Sequence, residues 1–165
     1  LSSAFDPEVY RQACGRFATG VAVVTTLASD GTPHGLTINS FASLSLDPPL
    51  VMAAIARDCA FLAHFELTGE SSGHFAINIL TEHQRELSNR FAVLPEGRFV
   101  GVEWRSGMTG SPVIAGSLAL IECRTKQVLD AGDHRVLIGE ALEVEVGEGQ
   151  PLIFFASDYA SIEGD

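Results

Sequence analysis

Hydrophobic spacing changes period several times along the chain, and each change marks an element. Asp6-Pro7-Glu8 offers a capping oxygen, a proline at the first helical position and an acid at the positive helix end. Val9, Ala13 and Phe17 then recur at four-residue intervals, which predicts a helix that runs until Thr19-Gly20. The run Val21 to Leu27 is β-branched almost throughout, Ser29-Asp30-Gly31-Thr32-Pro33 is turn chemistry, and His34 to Ser40 is again extended, so the pair predicts a β-hairpin. Asp47-Pro48-Pro49 breaks the chain before Leu50 to Ala56, a short apolar run expected as a strand buried on both faces.

Further on, Asp58 is placed to cap a short helix through Ala60, Leu62 and Phe65, closed by Gly69, and His74 to Leu80 reads as extended. Thr81-Glu82-His83-Gln84 is a capping box that starts a helix to about Phe91. Three strand-like runs follow Pro112; Leu142 to Val146 alternates most cleanly and predicts inward valines and solvated acids. Six or more short strands and three modest helices predict a mainly β fold, a barrel or sandwich with helical additions. No βαβ alternation, internal repeat or linker divides the chain, so one domain is expected over residues 1–165.

Charge narrows the functions available. Ten Lys plus Arg stand against twenty-one Asp plus Glu, a formal net charge of -11, and only Lys126 among the cations is a lysine. A binder of nucleic-acid polymers needs a cationic stripe to displace counterions, and none exists here. Any anion held by this chain must be met by backbone amides or isolated arginines. Cys14, Cys59 and Cys123 are far apart and odd in number, which is how a protein of a reducing compartment uses cysteine, so a cytoplasmic location is expected. The chain opens on Leu1, so its natural start is expected upstream; no stretch resembles a signal peptide, and no apolar run approaches the ~18 residues of a membrane span.

The familiar catalytic patterns are missing: no G-x-G-x-x-G, P-loop, G-x-S-x-G or H-E-x-x-H occurs, and His34, His64, His74, His83 and His134 have no metal-ligating spacing. Thr37 to Ser45 is denser in small hydrogen-bonding side chains than a strand needs. In a regular strand Thr37, Asn39, Phe41, Ser43 and Ser45 share one face, which either lines a polar pocket or is a solvated edge. Ala131-Gly132-Asp133-His134 reads as a hairpin turn, and Phe91, Trp104 and Tyr159 are either core residues or planar-ligand stackers.

Taken in order, Phe17-Ala18-Thr19-Gly20-Val21, Thr37 to Leu50, Phe75-Ala76-Ile77-Asn78-Ile79-Leu80, Gly110-Ser111-Pro112, Ala131-Gly132-Asp133-His134 and Pro151-Leu152-Ile153-Phe154-Phe155 resemble the flavin-reductase-like family, the small reductase components of two-component flavin monooxygenases. The resemblance runs unbroken from about Tyr10 to Tyr159. It implies a split β-barrel of Greek-key-like order with a few short helices, a homodimer, and a groove for FMN or FAD near the subunit interface. It further implies NADH or NADPH as co-substrate and a separate oxygenase that receives reduced flavin.

Carried over by position, Thr37, Asn39, Ser40 and Ser43 are expected at the isoalloxazine edge and ribityl chain. Ala54, Arg57 and Asp58 match the stretch approaching the ribityl phosphate, and Phe91 matches a flavin-proximal aromatic. His134 matches the Gly-Asp-His histidine beside the nicotinamide, the one expected catalytic residue, and Tyr159 matches a C-terminal aromatic near the same pocket. Arg57-Asp58-Cys59-Ala60 stands where many members carry Ser or Thr for phosphate, which leaves FMN against FAD open. A flavin-holding electron carrier without a productive nicotinamide site is the competing reading.

Overall fold

The computed structural model describes residues 5–65 and 73–162. In chain order the elements are α1 (Pro7–Gly15), β1 (Thr19–Gly20), β2 (Ala22–Leu27), β3 (Pro33–Ile38), β4 (Ala42–Leu46), β5 (Pro49–Ala56), a 3₁₀ helix (Ala60–Phe65) and β6 (His74–Ile79). A 3₁₀ turn (Glu82–Gln84) then leads into α2 (Arg85–Val93), followed by β7 (Trp104–Ser106), β8 (Pro112–Ile114), β9 (Ala119–Ala131), β10 (His134–Val146), β11 (Ile153–Phe155) and β12 (Asp158–Ala160). The expected helix stop at Gly69 lies outside the described residues.

Seven strands form one antiparallel sheet in the order β3-β2-β6-β9-β10-β5-β4. The sheet curls until its two sides meet: the Ser40 hydroxyl, just past β3, donates to the Ala54 carbonyl (2.7 Å) and accepts from the Ala54 N–H (3.1 Å) in β5. This is the expected mainly β split barrel. β2 is β-branched and buried almost throughout because both its faces are covered. Ala22 and Val24 point into the barrel with Ile38, Ile55, Phe75, Ile77 and Leu137, while Val21 and Val23 point outward under Leu80, Phe91, Ile114 and Leu152. Asn78, fully buried, ties these layers together: its amide donates to the Val23 carbonyl (3.0 Å) and its oxygen accepts from the Ile114 N–H (2.8 Å) of β8.

Several expectations need correction. The first helix stops at Gly15, and Thr19-Gly20 is drawn into β1 by pairing with Phe154 and Ile153 of β11, a contact no local pattern shows. β5 is not buried on both faces; Val51, Ala53 and Ile55 are buried and alternate with half-buried neighbours. The residues after Asp58 form a 3₁₀ rather than an α-helix. The valines near the end of β10 do not point inward: Val144 is 53% and Val146 83% exposed. β5 pairs with β10 only as far as Glu140, so beyond it β10 is flanked by β9 alone and leaves the barrel. The capping box at Thr81 is present. Among the described residues no helix is long and apolar enough to cross a membrane.

Candidate active site

Thr37 and Asn39, on β3 and just after it, meet Ser88 and Ala92 of α2 and Phe154 and Tyr159 of the C-terminal ribbon around a cleft of about 160 Å³. Hydrogen bonds fix its three walls. The Thr37 hydroxyl donates to the Ser88 carbonyl (2.7 Å), which locks β3 to α2. The Tyr159 hydroxyl donates to Asn89 Oδ1 (3.0 Å), so the Ser88 hydroxyl at 2.8 Å must donate to Tyr159 in turn. The Arg85 guanidinium lies 4.9 Å from the centre of the Tyr159 ring and 3.3 Å from the Asp158 carboxylate, holding the ring from outside.

β1, β11 and β12 bring three side chains into one row. Thr19 pairs with Phe154 and Phe154 with Tyr159, and directly opposed residues of antiparallel strands present side chains on the same face. Phe154 and Tyr159 line the cleft, so Thr19 stands on that face of the ribbon. Its hydroxyl is buried and has no hydrogen-bond partner among the described residues.

Two further groups adjoin the cleft. Ser40 follows Asn39 and is bonded to Ala54; about 7 Å along β5 from there, Ala56 pairs with His134 of β10. Gly132 (φ +66°) and Asp133 form the two-residue turn between β9 and β10, whose flanking residues Ala131 and His134 pair. Arg57 braces this turn. Its N–H donates to the Asp133 carbonyl (2.9 Å), its guanidinium to the Gly132 carbonyl (3.1 Å), and it shares Asp130 with Arg135. The His134 Nδ1 lies 2.7 Å from an Asp133 carboxylate oxygen, and that hydrogen bond holds the Asp133 carboxyl below the usual carboxylate range. With Asp133 ionised, the neutral ring carries its proton on Nδ1 and has Nε2 free as an acceptor.

The structure thus gathers Thr37, Asn39 and Tyr159 at the cleft, joins Ser40 to Ala54, and sets Arg57 and His134 at the adjoining turn, with Asp58 exposed beside Arg57. Thr37 to Ser45 is not one regular strand. β3 ends at Ile38 and β4 starts at Ala42, so Ser43 sits exposed on β4 opposite Val51 rather than on a shared face with Asn39. Phe91 also needs correction: its ring is fully buried in the outer core, packed edge-on to Phe99 at 4.9 Å, and it supports the cleft without facing it. Ser88 and Phe154 line the cleft without being among the expected residues, and Asn89 braces Tyr159. Phe154 has a local signal, since it falls inside a family-like motif; Ser88 reaches the cleft through tertiary packing alone.

Comparison with known proteins decides the family. Residues 14–163 match the model of the flavin reductase like domain. The chain belongs to that family. It is 41% identical over 169 aligned positions, covering 99% of this chain and 86% of the relative, to the reductase subunit HsaB of a flavin-dependent monooxygenase from Mycobacterium tuberculosis. It is 44% identical over 146 positions, 88% of this chain and 80% of the relative, to an FMN reductase (NADH) of Agrobacterium fabrum. The solved structure of the Streptomyces globisporus NADH:FAD oxidoreductase in complex with NAD and FAD fragments superposes with a TM-score of 0.88 at 30% identity, covering 99% of both chains. The flavin reductase described here is accordingly an oxidoreductase that uses flavin and nicotinamide cofactors.

Proposed function

We propose that the path from the Thr37–Tyr159 cleft, past Ser40 and Ala54, to the Gly132-Asp133-His134 turn holds flavin and nicotinamide together, and that the reduced flavin serves a separate oxygenase. One observation carries this reading: Asn39, Ser40, Ala54, Ala56 and His134 are contiguous through a peptide bond, a hydrogen-bonded pair and strand register. This contiguity supports reading the cleft at Thr37 and Asn39 and the histidine turn as parts of one groove. When bound, the flavin supplies the hydride acceptor and the reduced nicotinamide the donor, so the chain itself needs no acid, base or nucleophile.

Its residues bind and orient. The Asn39 side chain is exposed at the cleft and able to donate and accept at a heteroaromatic edge. The Ser40 hydroxyl is already committed to Ala54, so it shapes the groove wall rather than meeting the ligand. The outward Nε2 of His134 accepts a carboxamide N–H and turns the nicotinamide toward the flavin.

The chain acts as a homodimer in this reading. Val9, Tyr10 and Phe17 on and after α1, and Leu44 and Leu46 on β4, are large apolar side chains exposed in the single chain, which supports burial against a second copy. Three free cysteines support a reducing, cytoplasmic setting.

The test is anaerobic stopped-flow reduction of bound flavin by NADH in the unmutated protein and in His134→Ala. Flavin affinity should stay nearly constant while the reduction rate or NADH affinity falls by about 1–3 kcal/mol, roughly 5- to 150-fold. An unchanged rate would leave His134 a turn residue, and no reduction in either protein would turn the reading to the flavin carrier.

A further inference from the structure

Both carbonyls of the turn between β9 and β10 are held by one residue from elsewhere in the sheet. Arg57, directly after β5, donates its backbone N–H to the Asp133 carbonyl (2.9 Å) and its guanidinium Nη2 to the Gly132 carbonyl (3.1 Å). The same Nη2 lies 3.3 Å from the Asp130 carboxylate, which also accepts from Arg135 Nε (3.1 Å), so the guanidinium is tethered to β9 as well as to the turn. Stability does not call for this arrangement. The Arg57 side chain is 49% exposed, and β10 pairs with β5 and β9 through backbone register as far as His134, so an ion pair here adds little to the fold.

What the grip does control is the conformation of the turn. The Gly132 carbonyl belongs to the central peptide, and the orientation of that peptide decides where Asp133 points. Gly132 has φ +66° and Asp133 does not have a positive φ, the combination that separates a type II′ turn from a type I′ turn. A flip of the central peptide produces the type I′ form, which Gly132 also accepts; it turns the Gly132 carbonyl away from Arg57 and moves Asp133 to positive φ. Asp133 carries the carboxylate that lies 2.7 Å from His134 Nδ1. The flip therefore takes the carboxylate from the ring, and the ring loses what fixes its tautomer and its direction.

We infer that Arg57 is a positioning residue for hydride transfer: its hold on the Gly132 carbonyl keeps the Asp133 carboxylate on His134 and thereby sets the ring that meets the nicotinamide, an inference that rests on the reading of His134 given above. Arg57 Nε and Nη1 have no partner among the described residues, so the experiment has to separate the turn contact from a direct contact with a ligand phosphate. Reduction of bound FMN by NADH is followed in Arg57→Ala, in His134→Ala and in the double variant, beside the affinities of each for FMN and for riboflavin, which lacks the phosphate. Arg57→Ala should slow reduction about fivefold, the worth of one hydrogen bond, and leave the ratio of the two flavin affinities unchanged. Added to His134→Ala it should cost nothing more, because its effect passes through that ring. Nitrogen NMR of the neutral imidazole should show Nδ1–H alone in the unmutated protein and both tautomers in Arg57→Ala. An unchanged rate in Arg57→Ala, a further loss in the double variant, or a single tautomer in both proteins overturns the inference. Weakened FMN binding with riboflavin binding intact assigns Arg57 to the phosphate and overturns it too. If His134→Ala itself reduces flavin at the unmutated rate, the reading of His134 falls and takes this inference with it.

Discussion

Removing a single oxygen, in Tyr159→Phe, tests whether the C-terminal ribbon is fastened to α2 as described. The ring keeps its packing against Phe154 (5.6 Å between centroids) and its place under Arg85, so the change is confined to the hydroxyl. Two hydrogen bonds disappear, and they are unequal. Asn89 is exposed, so water replaces its partner at little cost. Ser88 is fully buried, and its hydroxyl is left with a proton and no acceptor, which costs about 1–3 kcal/mol. A loss of about 2 kcal/mol follows, or a fall in Tm of roughly 6 °C for a domain of this size. The cycle with Ser88→Ala isolates the cause. Ser88→Ala alone forfeits one ordinary hydrogen bond, about 1 kcal/mol, because the Tyr159 hydroxyl keeps Asn89. The double variant has no orphaned group, so it should also lose only about 1 kcal/mol, roughly 2 less than the sum of the singles. Urea unfolding of the four proteins measures this. Strict additivity would refute the Ser88–Tyr159 fastening.

Glu122 supplies the pH dependence. It is 1% exposed, and burial pushes its pKa up, but the Thr109 hydroxyl, the Thr109 and Met108 N–H groups and the nearby Arg105 charge outweigh burial and hold it low. A depressed carboxylate contributes fully above the ordinary glutamate pKa of about 4.3 and loses its contribution as pH falls through the folded value. Glu122→Gln should cost about 1–3 kcal/mol at pH 7 and flatten the acid limb of the stability curve; parallel curves for the two proteins would contradict this. Gly139→Ala should destabilise by at least about 1–3 kcal/mol in denaturant titration, because a Cβ there would stand 2.3 Å from the Phe75 ring and 2.8 Å from the Cys123 Cβ; an unchanged midpoint would mean the ring does not lodge in that notch.

What the chain announces locally is what short-range physics controls. Proline at the first turn, the Thr81-to-Gln84 capping box, the β-branched run after Val21 and the tight turn at Gly132-Asp133 each act within a few residues, and each element lies where its residues place it. Long-range pairing overrides the rest. Helix periodicity through Phe17 yields to β1, because Phe154 and Ile153, far along the chain, supply a strand partner there. Val144 and Val146 alternate as core residues do and yet face solvent, because alternation says which side a residue takes and not whether anything covers that side. The same distinction separates the site residues. Thr37 and Asn39 fall in a motif and line the cleft, as does Tyr159 near the chain's end; Phe91 matches a family position and is core, and Ser88 gives no local sign of closing the cleft. Only the packing of α2 against β3 makes its carbonyl and hydroxyl meet Thr37 and Tyr159.

The ribbon that completes the cleft follows every barrel strand in the chain, and this orders events during synthesis. A ribosome delivers β2 through β10 first, and the seven-stranded sheet can close with no contribution from residues past Val146. Phe154 and Tyr159 emerge afterwards and dock on α2, giving the cleft its third wall. A nascent polypeptide halted before Val146 has passed therefore lacks part of the sheet, whereas one halted between Val146 and Phe154 has every barrel strand and lacks the third wall of the cleft.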